Sequence, residues 1–218
     1  MTGIMSPAAT FDRVYRALKE RLMAGVYPPG EQLESAALGS DLHASVTPVR
    51  DALHRLAGER MVEAPNHDGF RVPAPSEAEL RDLFGWSALL IDLALRRNAQ
   101  PVTEGPAMPS AADFTGNRDG AWALFSEIAV ATGSGELPRC LVAVGERLAP
   151  FRTIEGSVFA DVEEEAAELR LIFASGNRKA LRRAIAAYHR RRQRAAPDLI
   201  VELRRFSQRG RNDRTVIA

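Results

Sequence analysis

Few residues of this sequence are of the kinds that carry out chemistry. It has one cysteine, Cys140, and four histidines, so neither an intramolecular disulfide nor a cysteine metal cluster can form. It also lacks a phosphate-binding loop, a Gly-x-Ser-x-Gly motif, a His-Glu-x-x-His motif, and a cysteine–histidine pair with a plausible third partner. We therefore expect no enzymatic activity, and we interpret Cys140 as a small buried side chain.

The hydroxyl groups of Ser45 and Thr47 lie where a helix is expected to begin. Apolar residues at helical spacing predict a helix over 46–57, and either hydroxyl can cap it. Pro48 is tolerated in the first turn because the N–H that proline lacks would have no helical partner there. Another helix is predicted over 34–42, only three residues earlier, and two helices this close are typical of a helix-turn-helix.

Two further elements complete this N-terminal pattern. A helix is predicted over 11–24, and it ends at Gly25 before a proline-rich turn. Residues 61–64 and 70–72 alternate as strands do and flank a polar turn, which predicts a small β-hairpin. A helix, a helix-turn-helix and a hairpin within about 60 residues indicate a winged helix.

The pattern from Pro75 onward is helical. Apolar spacing predicts helices over residues 77–98, 120–132, 137–151, 155–175 and 178–206, the last broken near Pro197. Residues 99–118 are rich in proline, glycine, serine and alanine, and we interpret them as a long flexible loop. The expected fold class is mainly α, with a winged helix-turn-helix followed by an all-α helical bundle.

The predicted elements divide the chain into four segments. These are a flexible tail at 1–10, a winged-helix domain at 11–74, an all-helical domain at 75–207 and a basic tail at 208–218. No apolar run approaches the roughly 20 residues that a membrane span needs, and the N-terminus lacks the features of a secretory signal. We therefore expect a cytoplasmic protein without a membrane partner.

The charges are distributed unevenly along the chain. Residues 1–74 hold 8 basic and 9 acidic side chains, a net of −1; residues 75–177 hold 8 and 16, a net of −8; residues 178–218 hold 13 and 3, a net of +10. A basic segment suggests nucleic-acid binding, but the interpretation we favour is a solvated helical face opposite the acidic middle segment. The N-terminal segment, which carries the helix-turn-helix, is not basic.

Two motifs resemble those of GntR-type bacterial transcription regulators. Residues 25–33, GVYPPGEQL, resemble that family's G-x-Y-x-P-G-x-x-L element. Residues 45–53, SVTPVRDAL, followed by Leu56, resemble its recognition helix, S-R-T-P-V-R-E-A-L-x-x-L, and Gly69 lies where the family places its wing glycine. The resemblance covers residues 11–73. The helical remainder resembles, more weakly, the FCD-type ligand-binding and dimerisation domain of the FadR-like branch.

The resemblance implies a homodimer that reads a palindromic operator in double-stranded DNA. Arg50 would pair with a guanine edge or a phosphate, Ser45 and Thr47 would bond phosphate oxygens, and Gly69 would bring the wing close to the DNA backbone. The implied DNA-contacting set is Ser45, Thr47, Pro48, Arg50, His54, His67 and Gly69. The expected core of this domain is Leu38, Val49, Leu53 and Leu56. Residues 203–218 are not expected to be needed for sequence preference.

The DNA-binding motif departs from the family at three positions. Val46 replaces the arginine that usually follows the serine, Ala36 replaces a residue that is basic in many members, and His43 replaces the glycine of the turn. Histidine tolerates a left-handed backbone better than most residues, so the turn can persist. We expect weaker DNA binding or an altered operator. The alternative is a dimer that has lost specific DNA reading and acts through protein contacts or non-specific DNA binding.

The helical domain departs from the family at its metal site. The resemblance places Trp122, Ser126, Ala166 and Tyr188 where the family has an aspartate and histidines, so no metal cofactor is expected. Only His189 could serve as a ligand; a carboxylate site within residues 163–168 is the alternative to a solvated acidic face.

A pocket for a small effector, such as a carboxylate, could exist without a metal. Its candidate lining is Trp122, Arg96, Arg147, Arg170, Tyr188 and His189, although surface salt bridges are the commoner role of such arginines. The apolar residues expected to form the surrounding core are Trp86, Leu89, Leu90, Leu93, Trp122, Phe125, Leu141, Phe151, Leu171 and Phe173.

Overall fold

The structure is a computed structural model that describes residues 7–65, 69–97 and 120–216. The predicted loop at 99–118, His67 of the predicted wing and residues 1–6 of the predicted tail lie outside the described residues. Within the described ranges there are ten helices and no β-strand. The chain divides into two compact units, Met1–Ala74 with Leu203–Ala218, and Pro75–Glu202.

Three helices form most of the first unit. They are α1 (Pro7–Met23), α2 (Ser35–Asp41) and α3 (Val46–Gly58). The apolar stripe of α1, including Val14 and Leu18, packs against α3, and these side chains are at most 1% exposed. Residues 7–10 belong to α1, so the prediction that the first ten residues form a loose tail is wrong at these four positions.

The predicted β-hairpin is not formed among the described residues. Glu63 and Arg71 exchange two backbone hydrogen bonds of 2.8 Å, and Gln32 forms a single bridge with Arg71, but none of these pairings extends into a strand. Alternation fails because the adjacent residues Met61 and Val62 are both buried, whereas neighbouring residues of a strand point to opposite faces.

The second unit is an all-helical bundle. Its helices are α4 (Glu77–Arg96), α5 (Ala121–Val130), α6 (Glu136–Thr153), α7 (Glu155–Val158), α8 (Val162–Ala174), α9 (Arg178–Arg194) and the first turns of α10 (Ala196–Val216). A capping box begins α4: the Ser76 hydroxyl accepts from the Glu79 N–H, and the Glu79 carboxylate accepts from the Ser76 N–H. Among the described helices, none combines the length and the apolarity that crossing a bilayer requires.

The C-terminal part of the chain differs from the prediction in extent. The predicted break near Pro197 is present at Ala195, between α9 and α10. However, α10 continues ten residues beyond the predicted end at Phe206, and its residues from Leu203 onward belong to the first unit. The segment expected to be a separate basic tail from residue 208 is therefore helical as far as Val216.

The core of the second unit contains only part of the expected set. Leu90, Phe125, Leu141 and Phe151, together with Trp122, are buried. The exposed members of that set are Trp86 (49% exposed), Leu89 (63%), Leu93 (48%) and Leu171 (72%), so their assignment to the core is wrong. Cys140, expected to be buried, is exposed. Helical spacing identifies residues that share a face, but it does not identify what covers that face.

Candidate functional site

The first turn of α3 presents polar groups to solvent. Ser45, Thr47 and Arg50 are exposed, whereas Val49 and Leu53 on the opposite face are fully buried. Ser45 is the N-cap residue, but its hydroxyl makes no capping hydrogen bond. Within the described part of the chain, Arg50 has no hydrogen bond or ion pair. This turn therefore offers hydroxyls, a helix N-terminus and one guanidinium to an external partner.

The turn before α3 is held tightly enough to fix this surface. His43 has φ = +48°, which is the left-handed conformation anticipated for the residue that replaces glycine. A Cβ atom on Gly39 would lie 2.8 Å from the Ala44 carbonyl oxygen, so the close approach of α2 to the turn requires glycine. Arg13 of α1 donates a hydrogen bond to the Leu42 carbonyl oxygen at 2.8 Å. This contact could not be predicted from the spacing of residues in the sequence.

The other proposed DNA-contacting residues have different surroundings. Pro48 lies in the first turn of α3 and is half-buried. His54 is exposed and packs edge-to-face against Phe70, with ring centroids 4.8 Å apart, so it also supports the segment that follows Gly69. Gly69 has φ = +76°, a conformation that favours glycine. His67 lies outside the described residues.

Several basic residues of the first unit are engaged internally. Glu59, at the end of α3, accepts hydrogen bonds from the Tyr15 hydroxyl at 2.7 Å and from Lys19 Nζ at 2.9 Å. The Arg55 guanidinium lies 4.1 Å from the centroid of the Tyr15 ring. Partial burial opposes the charge on Glu59, but the bonds from Lys19 and Tyr15 outweigh it and lower the pKa of the carboxyl. This network joins α1 to the end of α3.

A buried ion pair lies at the centre of the second unit. Arg192 is fully buried; its Nε and Nη2 donate to the two oxygens of Glu155 at 3.0 and 2.7 Å, and its Nη1 lies 2.7 Å from Glu165 Oε2. The guanidinium carbon is 3.3 Å from the centroid of the Tyr188 ring. Burial alone would lower the pKa of Arg192, but Tyr188 and Glu155 outweigh it, so the group stays charged.

His189 lies beside this pair and is nearly fully buried. Its Nδ1 is 2.8 Å from the Ile185 carbonyl oxygen, and its Nε2 is 3.2 Å from Ser87 Oγ. The carbonyl can only accept, so Nδ1 carries the hydrogen and Nε2 accepts from the Ser87 hydroxyl. Burial lowers the pKa of His189 to about 4. The imidazole is therefore neutral at pH 7, with both nitrogens in use.

A second guanidinium borders the same region. Arg152 lies over the Trp122 ring, 4.4 Å from its centroid, and donates to the Gly145 carbonyl oxygen at 2.9 Å. A Cβ atom on Gly145 would lie 1.9 Å from the Trp122 ring, so the ring occupies this position only because residue 145 is glycine. The Arg152 side chain is half-buried overall, but its Nε is enclosed without a hydrogen-bond partner among the described residues. Burial lowers its pKa.

Little free volume remains between these groups. A cavity of about 40 Å³ is bordered by Trp122, Arg152, Glu155, Tyr188 and Arg192, among other residues. One water molecule occupies about 30 Å³ in the liquid, so this space suits a single water and not a metabolite. The chain's own Glu155 borders this cavity and pairs with Arg192.

The structure brings together three of the six candidate effector residues. Trp122, Tyr188 and His189 line or adjoin the buried cluster, and Phe125 packs against both Tyr188 and His189. Arg96 and Arg170 are exposed and pair with Asp92 and Glu127, so their placement in a central pocket is wrong.

Arg147, the sixth candidate, is half-buried on α6. Two members of the cluster were not identified from the sequence. Glu155 and Arg192 were missed because 37 residues separate the partners and no local pattern links them.

The residues at the positions where the resemblance would place metal ligands do not offer a donor set for a metal ion. Ser126 bonds to the Trp122 carbonyl oxygen at 3.0 Å, Ala166 has no donor atom, and Tyr188 lies under the Arg192 guanidinium. Across the described ranges, no group of three histidine, cysteine or carboxylate side chains is placed to hold a metal. In the acidic run at 163–168, Glu165 is half-buried and pairs with Arg191 and Arg192, while the other glutamates are exposed.

Comparison with known proteins connects the first unit to a family. Residues 10–72 match the family model described as bacterial regulatory proteins, gntR family. The chain is 39% identical over 87 residues to the HTH-type transcriptional repressor GlaR of Escherichia coli strain K12, a match that covers 38% of this chain and 40% of that protein. The sequence likeness thus spans two-fifths of the length of this curated relative.

The fold of the chain resembles solved structures over most of its length. A transcriptional regulator GntR from Rhodococcus sp. RHA1 is 18% identical with a TM-score of 0.65, over 86% of this chain and 97% of that one. E. coli McbR/YncC is 18% identical with a TM-score of 0.61, over 89% of this chain and 99% of that one. At this identity the likeness concerns the fold alone. Residues 10–72 are thus similar in sequence to the gntR family of bacterial regulatory proteins.

Proposed function

We propose that this protein is a sequence-specific DNA-binding regulator of transcription that acts as a homodimer in the cytoplasm. The observation that carries the proposal is the first turn of α3, where Arg50 and two hydroxyls face solvent at the start of the second helix of a helix-turn-helix, within the residues that match the gntR-family model. Such a helix enters the major groove with its N-terminal residues at the base edges.

Each exposed group has a physical role in this arrangement. Arg50 can donate two hydrogen bonds to a guanine edge, a contact that contributes about 1–3 kcal/mol of discrimination against other bases. Ser45 and Thr47 can donate to phosphate oxygens, which the α3 N-terminus also attracts. Val46 is 45% exposed and cannot donate, so this protein reads its operator with one fewer side-chain donor per subunit than typical family members.

We also propose that the helical domain responds to a small anionic metabolite without a metal. Arg152 and Arg192 are the cations that would bind a carboxylate there, and Glu155 already forms an ion pair with Arg192. An effector would bind by displacing Glu155 from Arg192, because the free volume beside the pair suits only a water molecule. Metal ions are not part of this proposal, since the residues at the family's ligand positions offer no suitable donor set.

Selection of random duplex DNA on the full chain tests the proposed function. We expect a palindromic motif from the wild-type protein at near-physiological salt. Arg50→Ala should reduce the preference for that motif over scrambled duplexes by about 10- to 100-fold. Arg16→Ala, which removes an exposed positive charge from α1, should leave the preference unchanged. Enrichment of no motif would contradict sequence reading and favour a dimer that has lost it.

A further inference from the structure

One face of α4, from Asp82 to Arg96, is not covered by any of the described residues. Asp82, Trp86, Leu89, Leu93 and Arg96 follow one another at spacings of four, three, four and three residues, which places them on a single stripe. All five are exposed, and the three apolar side chains are 48–63% exposed. We call these five residues the α4 stripe. Large apolar side chains in a contiguous row are unusual on a surface that faces only water.

The α4 stripe is distinct from the face that α4 turns to its own bundle. Leu80, Phe84 and Ile91 on that other face are at most 2% exposed. An open groove of about 510 Å³ runs beside the stripe between α4 and α9, and Trp86 and Leu89 form part of its wall. The helix therefore carries two apolar faces, one already buried in the bundle and one without a covering element among the described residues.

The order of side chains along the stripe is self-complementary. An acidic residue stands at one end, a basic residue at the other, and apolar residues lie between them. If two copies of α4 pair antiparallel across a two-fold axis at Leu89, Asp82 of each copy faces the partner's Arg96, which also pairs with Asp92 of its own helix, and the apolar residues face one another. A parallel pairing would place Asp82 against Asp82 and Arg96 against Arg96, which like-charge repulsion opposes.

We propose that the α4 stripe is the surface through which two copies of this chain pair, antiparallel and centred on Leu89. This inference rests on the proposed dimer and assigns it a surface and a register. Asp82 and Arg96 are separated by about 21 Å along the helix at the usual rise per residue. A stable interface buries about 800 Å² on each partner, so the stripe forms its centre and the neighbouring surface of α9 beside the groove forms its rim.

A charge exchange tests the register directly. In a symmetric antiparallel dimer, Asp82→Arg places an arginine opposite Arg96 at both ends of the stripe, and Arg96→Asp likewise places two aspartates opposite each other at both ends. The dimer of each variant alone should have a dissociation constant at least about tenfold higher than that of the wild type. An equimolar mixture of the two should form heterodimers, because both contacts then join opposite charges. Sedimentation velocity and native mass spectrometry measure both results. Variants that dimerise like the wild type, or a mixture that fails to form heterodimers, would overturn the register.

A matched pair of apolar variants tests the surface itself. Leu89→Asp places a charge at the proposed two-fold axis and should yield monomers, whereas Leu171→Asp, at a still more exposed leucine of α8, should leave the dimer intact. Circular dichroism checks that both variants remain helical. A dimer that resists Leu89→Asp would refute the surface.

The DNA selection separates this inference from the proposed function. A recovered palindrome together with a dimer insensitive to Leu89→Asp means that the regulator pairs through another surface. Loss of dimerisation in Leu89→Asp, with no motif enriched by the wild type, means that the surface is correct and the DNA-reading proposal is wrong.

Discussion

The bond between Glu155 and Arg192 is the most consequential residue-level contact in the helical unit. Both side chains are at most 4% exposed, and two hydrogen bonds join them. A buried pair of this kind adds little net stability over apolar residues of the same volume, but removing Glu155 leaves the buried Arg192 with only the partly exposed Glu165 as a carboxylate partner. Arg152, a second cation that borders the same cavity, makes that charge imbalance more costly.

Removal of the Glu155 carboxylate should therefore strongly destabilise the protein, and an added small carboxylate should restore part of the lost stability. We expect Glu155→Ala to lower the free energy of unfolding by about 3–5 kcal/mol, measured by urea denaturation at pH 7. Added formate should restore part of the loss, because a small carboxylate can occupy the vacated position on Arg192 and stabilises only the folded state. Glu136→Ala breaks the exposed pair with Arg139 and should change stability by less than about 1 kcal/mol, with no response to formate. Equal responses of the two variants to formate would contradict a specific site.

His189 should make the stability of the protein depend on pH. Its pKa is about 4 in the folded state and 6.5 when it is unperturbed, because burial disfavours the charged imidazole. Between these values the unfolded chain binds the proton and the folded chain does not, so stability is lost as pH falls from about 6.5 towards 4. The loss contributed by His189 between pH 7 and pH 5 should be about 2 kcal/mol.

Variants at two histidines isolate this contribution. Urea denaturation at both pH values should show a smaller loss on acidification for His189→Gln than for the wild type. His54→Gln, at an exposed histidine, should keep the wild-type dependence. An unchanged pH dependence in His189→Gln would mean that the imidazole titrates normally in the folded protein.

At the scale of elements, the C-terminal end of α10 is part of the first unit. The Ser207 hydroxyl is almost fully buried and lies 2.7 Å from the Gly25 carbonyl oxygen and 2.9 Å from that of Leu203. Gly25 has φ = +68°, and a Cβ atom there would lie 3.0 Å from the Leu203 side chain. The turn that ends α1 is thus covered by residues 182 positions later in the chain.

This contact changes what is expected of the C-terminal segment. Ser207→Ala should lower the stability of the first unit by about 1–2 kcal/mol, because the buried Gly25 carbonyl loses a donor. Gln208→Ala, at the exposed neighbour, should have little effect. Deletion of residues 203–218 should destabilise the first unit further and weaken operator binding, although the sequence predicts that this segment is not needed for sequence preference. Hydrogen exchange of α1 amides measures the loss, and unchanged protection in Ser207→Ala would contradict it.

At the scale of the whole molecule, the uneven charge distribution is partly neutralised within the helical unit. Arg182 pairs with Asp92, Arg191 with Asp161, and Arg192 with Glu155. The interpretation that the C-terminal arginines form a solvated face opposite the acidic middle segment is confirmed at Arg182 and Arg191, whereas Arg192 pairs with that segment but is fully buried. Because these cations are already paired, the net charge of +10 in residues 178–218 overstates the attraction of this segment for DNA.

Binding to DNA should consequently depend more on sequence than on salt. We expect the selected palindrome to bind at least about 10³-fold more tightly than random duplex, with a salt dependence that reports only a few phosphate contacts per subunit. Fluorescence anisotropy between 50 and 200 mM salt, on both duplexes, measures each quantity. Equal affinities with a steep salt dependence would indicate electrostatic binding through the basic C-terminal segment.

The sequence by itself determined the features that depend on neighbouring residues. Turn glycines, a cap position and apolar spacing are local signals, so the helix-turn-helix and the break near Pro197 could be predicted. The left-handed conformation of His43 was anticipated from the glycine that the resembled family has at this position. Val49 and Leu53 were correctly assigned to the core because the family motif also specifies which face of α3 is covered. The hairpin was not formed because burial of both Met61 and Val62 overrides strand alternation.

Only the tertiary structure decided which distant residues meet. The Glu155–Arg192 pair, the cover that Ser207 provides for Gly25 and the exposure of Trp86, Leu89 and Leu93 each depend on how whole helices pack. Periodicity shows that residues share a helical face, but a face that will be covered by the same chain and one that stays open have the same spacing. A helical face is covered by elements that are far away in the sequence. The spacing of residues within one helix therefore cannot show whether its apolar face will be buried.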